Sequence, residues 1–270
     1  MSAGPGKVYL VGAGPGHAKL ITVRGLELIR EADCIVYDRL VNPELLDEAR
    51  PGAERIYCGK SPLGHTMKQE EINALLVRKA REGKRVVRLK GGDPFIFGRG
   101  GEEAAYCRRN GVPFEAVPGV TAAAAAAAHA GIPLTDRTVG ASSVALVTGH
   151  RPCGEPAVDP DRILNQARAD TLVVYMGMKN LGLICNLLMA GGKPADTPAA
   201  VIENCTLPDQ RTLVTTLGRA AEDAAAEGFK APSLVVIGRV VELLELVHWS
   251  GAPVLRRGEV PAAEPVCRIG

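Results

Sequence analysis

A β-branched run, Arg85-Val86-Val87-Arg88-Leu89, passes without a break into Lys90-Gly91-Gly92-Asp93-Pro94-Phe95-Ile96-Phe97-Gly98-Arg99-Gly100-Gly101-Glu102-Glu103 and then into a helical pattern. A strand, a loop and a helix in that order form the kind of corner at which open α/β sheets bind ligands. Glycine at 91, 92, 98, 100 and 101 would cost a merely structural connection much backbone entropy and give it nothing to pack. Something is therefore expected to approach this backbone closely. Asp93 precedes Pro94 and is pushed toward an extended conformation, which lets its carboxylate line a cleft. Structural roles compete for the same residues. Asp93 suits a turn, Phe95 and Phe97 suit a core, and Glu102 and Glu103 suit the first turn of a helix by its dipole. For the two glutamates the structural role is the preferred one.

The rest of the chain alternates strand and helix patterns. Lys7-Val8-Tyr9-Leu10-Val11 reads as a strand ending in Gly12-Ala13-Gly14-Pro15-Gly16, with a helix over residues 22–31 and a second strand at 34–37 ending at Asp38. This resembles the start of a dinucleotide-binding unit. The fit fails at His17, too large for the third small position, and at Pro15, which has no N–H for a pyrophosphate. Further strands are expected at 55–58, 113–117, 142–148, 171–176, 199–203, 211–215 and 233–237, and Thr66-x-x-Gln69 suggests a capping box for the helix that follows. An alanine-rich helix opens after Pro118-Gly119-Val120-Thr121 and closes at Gly131. Such alternation implies a parallel sheet with crossovers. Turn chemistry at 132–137 places a boundary between an N-terminal α/β domain, 1–135, and a C-terminal one, 136–250, with 251–270 as a flexible tail.

A net charge of +2 without a basic block argues against nucleic acid as the main partner. Seven cysteines, odd in number and never spaced Cys-x-x-Cys, support neither a structural metal nor a disulfide framework. The N-terminus shows no basic and apolar leader, and the alanine run is too short to span a bilayer, so no membrane and a reducing cytoplasm are expected.

Five segments in this order are more specific than any alone: Val11-Gly12-Ala13-Gly14-Pro15-Gly16, Val36-Tyr37-Asp38-Arg39-Leu40-Val41, residues 90–103, Pro118-Gly119-Val120-Thr121-Ala122 and Val173-Val174-Tyr175-Met176-Gly177. Together they resemble the tetrapyrrole methylase family from about Lys7 to Trp249. The resemblance implies two α/β domains with a cofactor cleft between them and a homodimer. It also implies S-adenosylmethionine as cofactor, with S-adenosylhomocysteine as its product. The expected reaction is two successive methylations of uroporphyrinogen III giving precorrin-2. Carried over by position, cofactor contacts fall on Pro15, Gly91, Gly92, Asp93, Ile96, Thr121, Ala122, Met176, Cys205 and Ala231. Asp38 resembles the proton acceptor and Lys60 the donor. Arg99 and Glu102 join them as catalytic candidates, and Arg39, Arg99, Arg137 and Met176 as substrate contacts. No fused dehydrogenase and chelatase module is expected. One departure stands out: relatives often carry glycine where this chain has Cys205.

The residue chemistry fits the implied reaction. Methyl transfer to carbon needs alignment more than covalent help. An electron-rich pyrrole gains positive charge on methylation, which a carboxylate such as Asp38 could stabilise before taking a proton, and a lysine such as Lys60 could return one. Eight substrate carboxylates would give Arg39, Arg99 and Arg137 partners, with His150 and Lys179 as further candidates. Plain structural roles remain open: a loop cap for Asp38, a solvated charge for Lys60, a helix N-cap for Thr121, a core filler for Met176. The competing functions are a methylase of a later precorrin and an NAD-dependent oxidoreductase built on the first glycine loop and Asp38.

Overall fold

The computed structural model describes residues 6–59, 67–150, 158–258 and 260. It divides into two compact units between Ala122 and Ala123. That division lies ahead of the 135/136 boundary because the alanine helix joins the second unit. There Ala123 N–H donates to the Tyr175 hydroxyl and Trp249 Nε1 donates to Ala128 O, at 2.9 and 2.8 Å.

The first unit runs β1 (Lys7–Gly12), α1 (Val23–Glu31), β2 (Cys34–Tyr37), α2 (Pro43–Asp47), β3 (Glu54–Tyr57), α3 (Gln69–Arg81), β4 (Arg85–Lys90), α4 (Gly100–Arg109) and β5 (Phe114–Val117). Its sheet has the order β3-β2-β4-β1-β5, with every pair parallel. Alternation decides the faces. Val8, Leu10, Val36 and Val86 pack against α3 and α4, whereas Tyr9, Val11, Ile35, Val87 and Leu89 pack against α1 and α2. Helix starts follow local chemistry. Thr22 Oγ1 accepts from Gly25 N–H at α1 and Asn42 Oδ1 accepts from Glu44 N–H at α2. The capping box at α3 is not the expected one. The helix starts at Gln69, and Glu71 Oε2 accepts from Lys68 N–H at 2.6 Å. A lysine has no acceptor to complete the other half. Thr66 lies outside the described residues.

The second unit holds α5 (Ala122–Ala130), β6 (Val144–Thr148), α6 (Pro160–Asn165), β7 (Thr171–Tyr175), α7 (Leu181–Ala190), β8 (Pro198–Glu203), β9 (Arg211–Thr216), α8 (Ala220–Ala226), β10 (Ser233–Ile237), α9 (Leu244–Val247) and β11 (Val254–Arg256). Its sheet, β11-β9-β8-β10-β7-β6, is mixed. Only β6–β7 and β11–β9 are parallel, while β8–β9, β8–β10 and β10–β7 are antiparallel. The expectation of parallel crossovers fails here because residues 204–210 join β8 to β9 with no helix, which leaves room only for an antiparallel return. Strand β11 pairs with β9, so the segment assigned to a tail begins with ordered sheet. Among the described residues no helix is long and apolar enough to cross a membrane.

Candidate active site

In the first unit, α1 follows β1 on one face of the sheet and α4 follows β4 on the other, although β1 and β4 are neighbours. Such a switch point opens a crevice at the carboxyl ends of the two strands. Three glycine loops converge there. Gly14 N–H donates to Gly92 O at 3.2 Å and Gly92 N–H donates to Gly14 O at 2.6 Å, while Ala13 N–H donates to Lys90 O at 2.7 Å. A Cβ on Gly12 would lie 2.5 Å from Gly119 Cα, and one on Gly119 would lie 2.2 Å from Gly92 O. Gly92 itself has φ of 70°. Side chains are thus excluded by contact at two positions and by conformation at the third.

Asp93 fastens this corner. Its Oδ1 accepts from Phe95 N–H at 2.8 Å and its Oδ2 accepts from Gly119 N–H at 3.0 Å. It is therefore both a turn residue, as one reading expected, and a tie between two loops. Pro15, Gly91, Gly92, Asp93 and Thr121 fall in the converging loops, Ala122 opens α5 directly after Thr121, and Ile96 is half-buried farther along the 90s loop. The core role for Phe95 and Phe97 is overturned: they are 57% and 40% exposed. Both sit on a loop that folds back on itself, with Gly100 N–H donating to Pro94 O at 2.9 Å and Phe97 at φ of 52°. A dinucleotide cradle does not form, since the N–H groups of Ala13 and Gly14 are already used and α1 begins only at Val23.

Asp38 stands at the end of β2, beside Gly91. A Cβ on Gly91 would lie 3.7 Å from its Oδ1. That oxygen accepts from Leu40 N–H at 3.1 Å, the loop-cap role, and Oδ2 is 3.6 Å from Arg88 Nη2. Arg39 is exposed next to it. Lys60 lies outside the described residues. Arg99 and Glu102 form a two-point pair at 2.9 and 2.8 Å, both exposed at the start of α4. The Arg99 hydrogen bond holds the Glu102 carboxyl below its ordinary range.

Glu103 is no first-turn surface residue. It is fully buried, with Arg88 Nε, Lys90 Nζ and Gln69 Nε2 each 3.1 Å from its Oε1. Burial, then the neighbouring Arg88 charge, pulls the Lys90 ammonium below its usual range. Sequence reasoning missed this cluster. Its available signal was two cations at i and i+2 in an apolar strand, hence on one face.

The second unit carries the remaining candidates. At the ends of parallel β6 and β7, Gly149 N–H donates to Tyr175 O and Asn180 Nδ2 donates to Gly149 O, both at 2.7 Å. Met176 follows with φ of 51° and 52% exposure, so it is not a core filler. Glu203 ties two loops: Oε1 accepts from Lys230 N–H at 2.6 Å, Oε2 pairs with Arg211, and Asn204 N–H donates to Pro232 O. These loops carry Cys205 and Ala231. Asn204 and Thr206 have positive φ but Cys205 does not, so the backbone at 205 accepts a side chain. Burial pushes the Cys205 thiol up to about 12. Arg137 is exposed on the turn closed by Asp136 and Ala141, and His150 and Lys179 are also exposed.

The sequence matches the family described as Tetrapyrrole (Corrin/Porphyrin) Methylases over residues 7–221. It is 50% identical to a siroheme synthase of Thiobacillus denitrificans over 97% of this chain but 53% of that protein. The chain thus spans about half the length of the siroheme synthases it matches. It is also 50% identical to a uroporphyrinogen-III C-methyltransferase of Bacillus subtilis, over 90% of this chain and 94% of that one. A uroporphyrin-III C-methyltransferase structure from Thermus thermophilus, complexed with S-adenosylhomocysteine, aligns with a TM-score of 0.75 and 41% identity. That alignment covers 87% of this chain and 93% of that one.

Proposed function

The chain belongs to the tetrapyrrole (corrin/porphyrin) methylase family, and from that premise we propose that it is an S-adenosylmethionine-dependent methyltransferase. The substrate is uroporphyrinogen III, methylated on carbon twice in succession to give precorrin-2 for sirohaem or cobalamin-type pathways. The observation that carries this reading is the near whole-length match to a C-methyltransferase of that specificity. A homodimer in the cytoplasm is part of the same proposal.

The residues present fit the cofactor. At Gly12 and Gly119 a Cβ would strike the facing loop backbone, so these glycines let the loops close on one another, whereas at Gly92 a Cβ would meet only Ala122 N, at 4.0 Å, which leaves open main chain for a ligand to approach. Asp93 spends one lone pair of each oxygen on a backbone N–H, which leaves acceptor capacity for an ammonium or a ribose hydroxyl. Pro15, Gly91, Ile96, Thr121 and Ala122 are the proposed partners in the first unit, and Met176, Cys205 and Ala231 those in the second. When bound, the cofactor supplies an electrophilic methyl group.

The chain's own part is alignment and proton handling. Asp38, half-buried beside Arg88, is a carboxylate that can stabilise positive charge developing on the pyrrole and take the proton lost afterwards. Lys60 is proposed as the proton donor. Arg39, Arg99 and Arg137 give planar two-point partners for the substrate carboxylates, with Glu102 orienting Arg99.

The test is the mass of the tetrapyrrole after anaerobic incubation with uroporphyrinogen III and S-adenosylmethionine. A gain of two methyl groups is expected. No gain with S-adenosylhomocysteine still bound would move the substrate to a later precorrin, and loss of cofactor binding as well would remove the methyltransferase reading.

A further inference from the structure

The alternation of β4 sends Arg88 and Lys90 to the face covered by α3 and α4, where both side chains are almost fully buried. Glu103 reaches down from α4 and takes Arg88 Nε, Lys90 Nζ and Gln69 Nε2 on a single oxygen. The other oxygen, Oε2, has no hydrogen-bond partner among the described residues. The guanidinium is then used up in a definite order. Nε goes to Glu103, and Nη1 donates to Val36 O at 3.4 Å and Leu89 O at 3.1 Å. Nη2 faces Asp38 Oδ2 at 3.6 Å. Arg88 thus grips strand β2 two residues before Asp38 and meets the carboxylate as well.

Stability does not account for this cluster. Buried ion networks are commonly no more stable than apolar side chains of similar volume, and one with an unused carboxylate oxygen is further from the optimum. What Glu103 does supply is an anchor. It holds Nε on the same edge of the guanidinium whose Nη2 faces Asp38, and so sets where that edge lies, and its charge offsets the repulsion between two buried cations, Arg88 and Lys90.

We propose that Glu103 is a positioning residue for Asp38, acting through Arg88 in the methyl-transfer reaction. The inference rests on the reading of Asp38 as the reacting carboxylate, and the test separates the two.

The experiment is a double-mutant cycle on the full chain, with Glu103→Gln, Asp38→Asn and the pair. Readouts are the single-turnover rate of methyl transfer to uroporphyrinogen III, the Kd for S-adenosylhomocysteine and the thermal midpoint. Glu103→Gln is expected to slow methyl transfer by about tenfold, short of the roughly hundredfold or more that outright loss of a general acid or base costs, with S-adenosylhomocysteine affinity kept. In the Asp38→Asn background the same substitution is expected to have little further effect, since its target is gone. A further loss of equal size in that background, or no loss in the wild type, would overturn the positioning role while leaving Asp38 in place. Wild-type activity of Asp38→Asn would instead remove the Asp38 reading. If Glu103→Gln does not fold, Arg88→Lys replaces it in the cycle. That variant keeps the charge without the two-sided grip, and the same non-additivity is expected, full additivity again overturning the role.

Discussion

Gly14 and Gly92 exchange both of their backbone hydrogen bonds, so the loop after β1 and the loop after β4 are joined as a short antiparallel bridge across two parallel strands. The bridge uses up main-chain donors that a phosphate-binding loop would need to keep free. It turns the corner into a rim whose side-chain acceptor is the Asp93 carboxylate, each oxygen of which takes one backbone N–H and keeps further acceptor capacity. Such a rim suits a ligand that offers an ammonium and hydroxyls, and suits a pyrophosphate poorly.

Gly119→Ala should break that rim. The added carbon would sit 2.2 Å from Gly92 O and 2.7 Å from Gly12 Cα, both backbone atoms that cannot swing aside. A large fall in thermal midpoint with loss of S-adenosylhomocysteine binding is expected. Gly101→Ala is the control, because a Cβ there meets nothing within 4 Å in the first turn of α4. It should leave stability unchanged or raise it by up to about 1 kcal/mol. Equal behaviour of the two variants in a melting experiment would refute the crowding argument.

The corner was legible in the sequence because its causes are local. Alternating Val8, Tyr9, Leu10 and Val11 mark a strand covered on both faces, and the glycines mark its turn. Strands came out close to the expected positions for the same reason. The antiparallel half of the second sheet was not legible, since pairing partners depend on contacts far apart in the chain and only the short β8–β9 connection hinted at them. Glu103 stands in the first turn of its helix as expected, but its burial was not legible, because a glutamate there has a sufficient local explanation. What buries it is Arg88 and Lys90 across a tertiary contact. Met176 shows the converse: its apolar side chain suggested a core, but the positive φ after β7 keeps it half-exposed.

Asp93→Ala removes two acceptors at once, those for Phe95 and Gly119 N–H. If the carboxylate also meets the cofactor, affinity for S-adenosylhomocysteine should fall by roughly 1–3 kcal/mol, about fivefold to 150-fold. Asp93→Asn should do little better, because its amide nitrogen would face a backbone donor. Calorimetric titration decides the matter. An unchanged Kd in Asp93→Ala would take this residue out of the cofactor site.

Arg99→Ala deletes an exposed pair with Glu102, and such pairs contribute at most about 1 kcal/mol. It also leaves a residue at φ of 57°. Stability should therefore change little, and cofactor affinity not at all. The expected loss is in KM for the octacarboxylate substrate, where a two-point cation partner is gone. A variant that loses cofactor affinity and substrate turnover by the same factor would contradict the separation of roles.

Cys205 is half-buried as a residue, yet its thiol is desolvated, and burial pushes it up to about 12. Alkylating reagents require the thiolate, so at pH 8 roughly one molecule in ten thousand would be reactive there. Peptide mapping after brief iodoacetamide treatment should find Cys205 unmodified in the native chain and modified after denaturation. The same shift has a stability consequence whose sign is fixed. A thiol with a raised folded-state value contributes its full stability below the unfolded value, near pH 8.5, and loses it as pH rises toward 12. Cys205→Ala should accordingly flatten the alkaline decline of the thermal midpoint, without abolishing it, since burial pushes Cys34, Cys107 and Cys185 up to about 11 as well. Alkylation of native Cys205 at the rate of a free thiol would show that the loop opens to solvent and that burial there is not maintained.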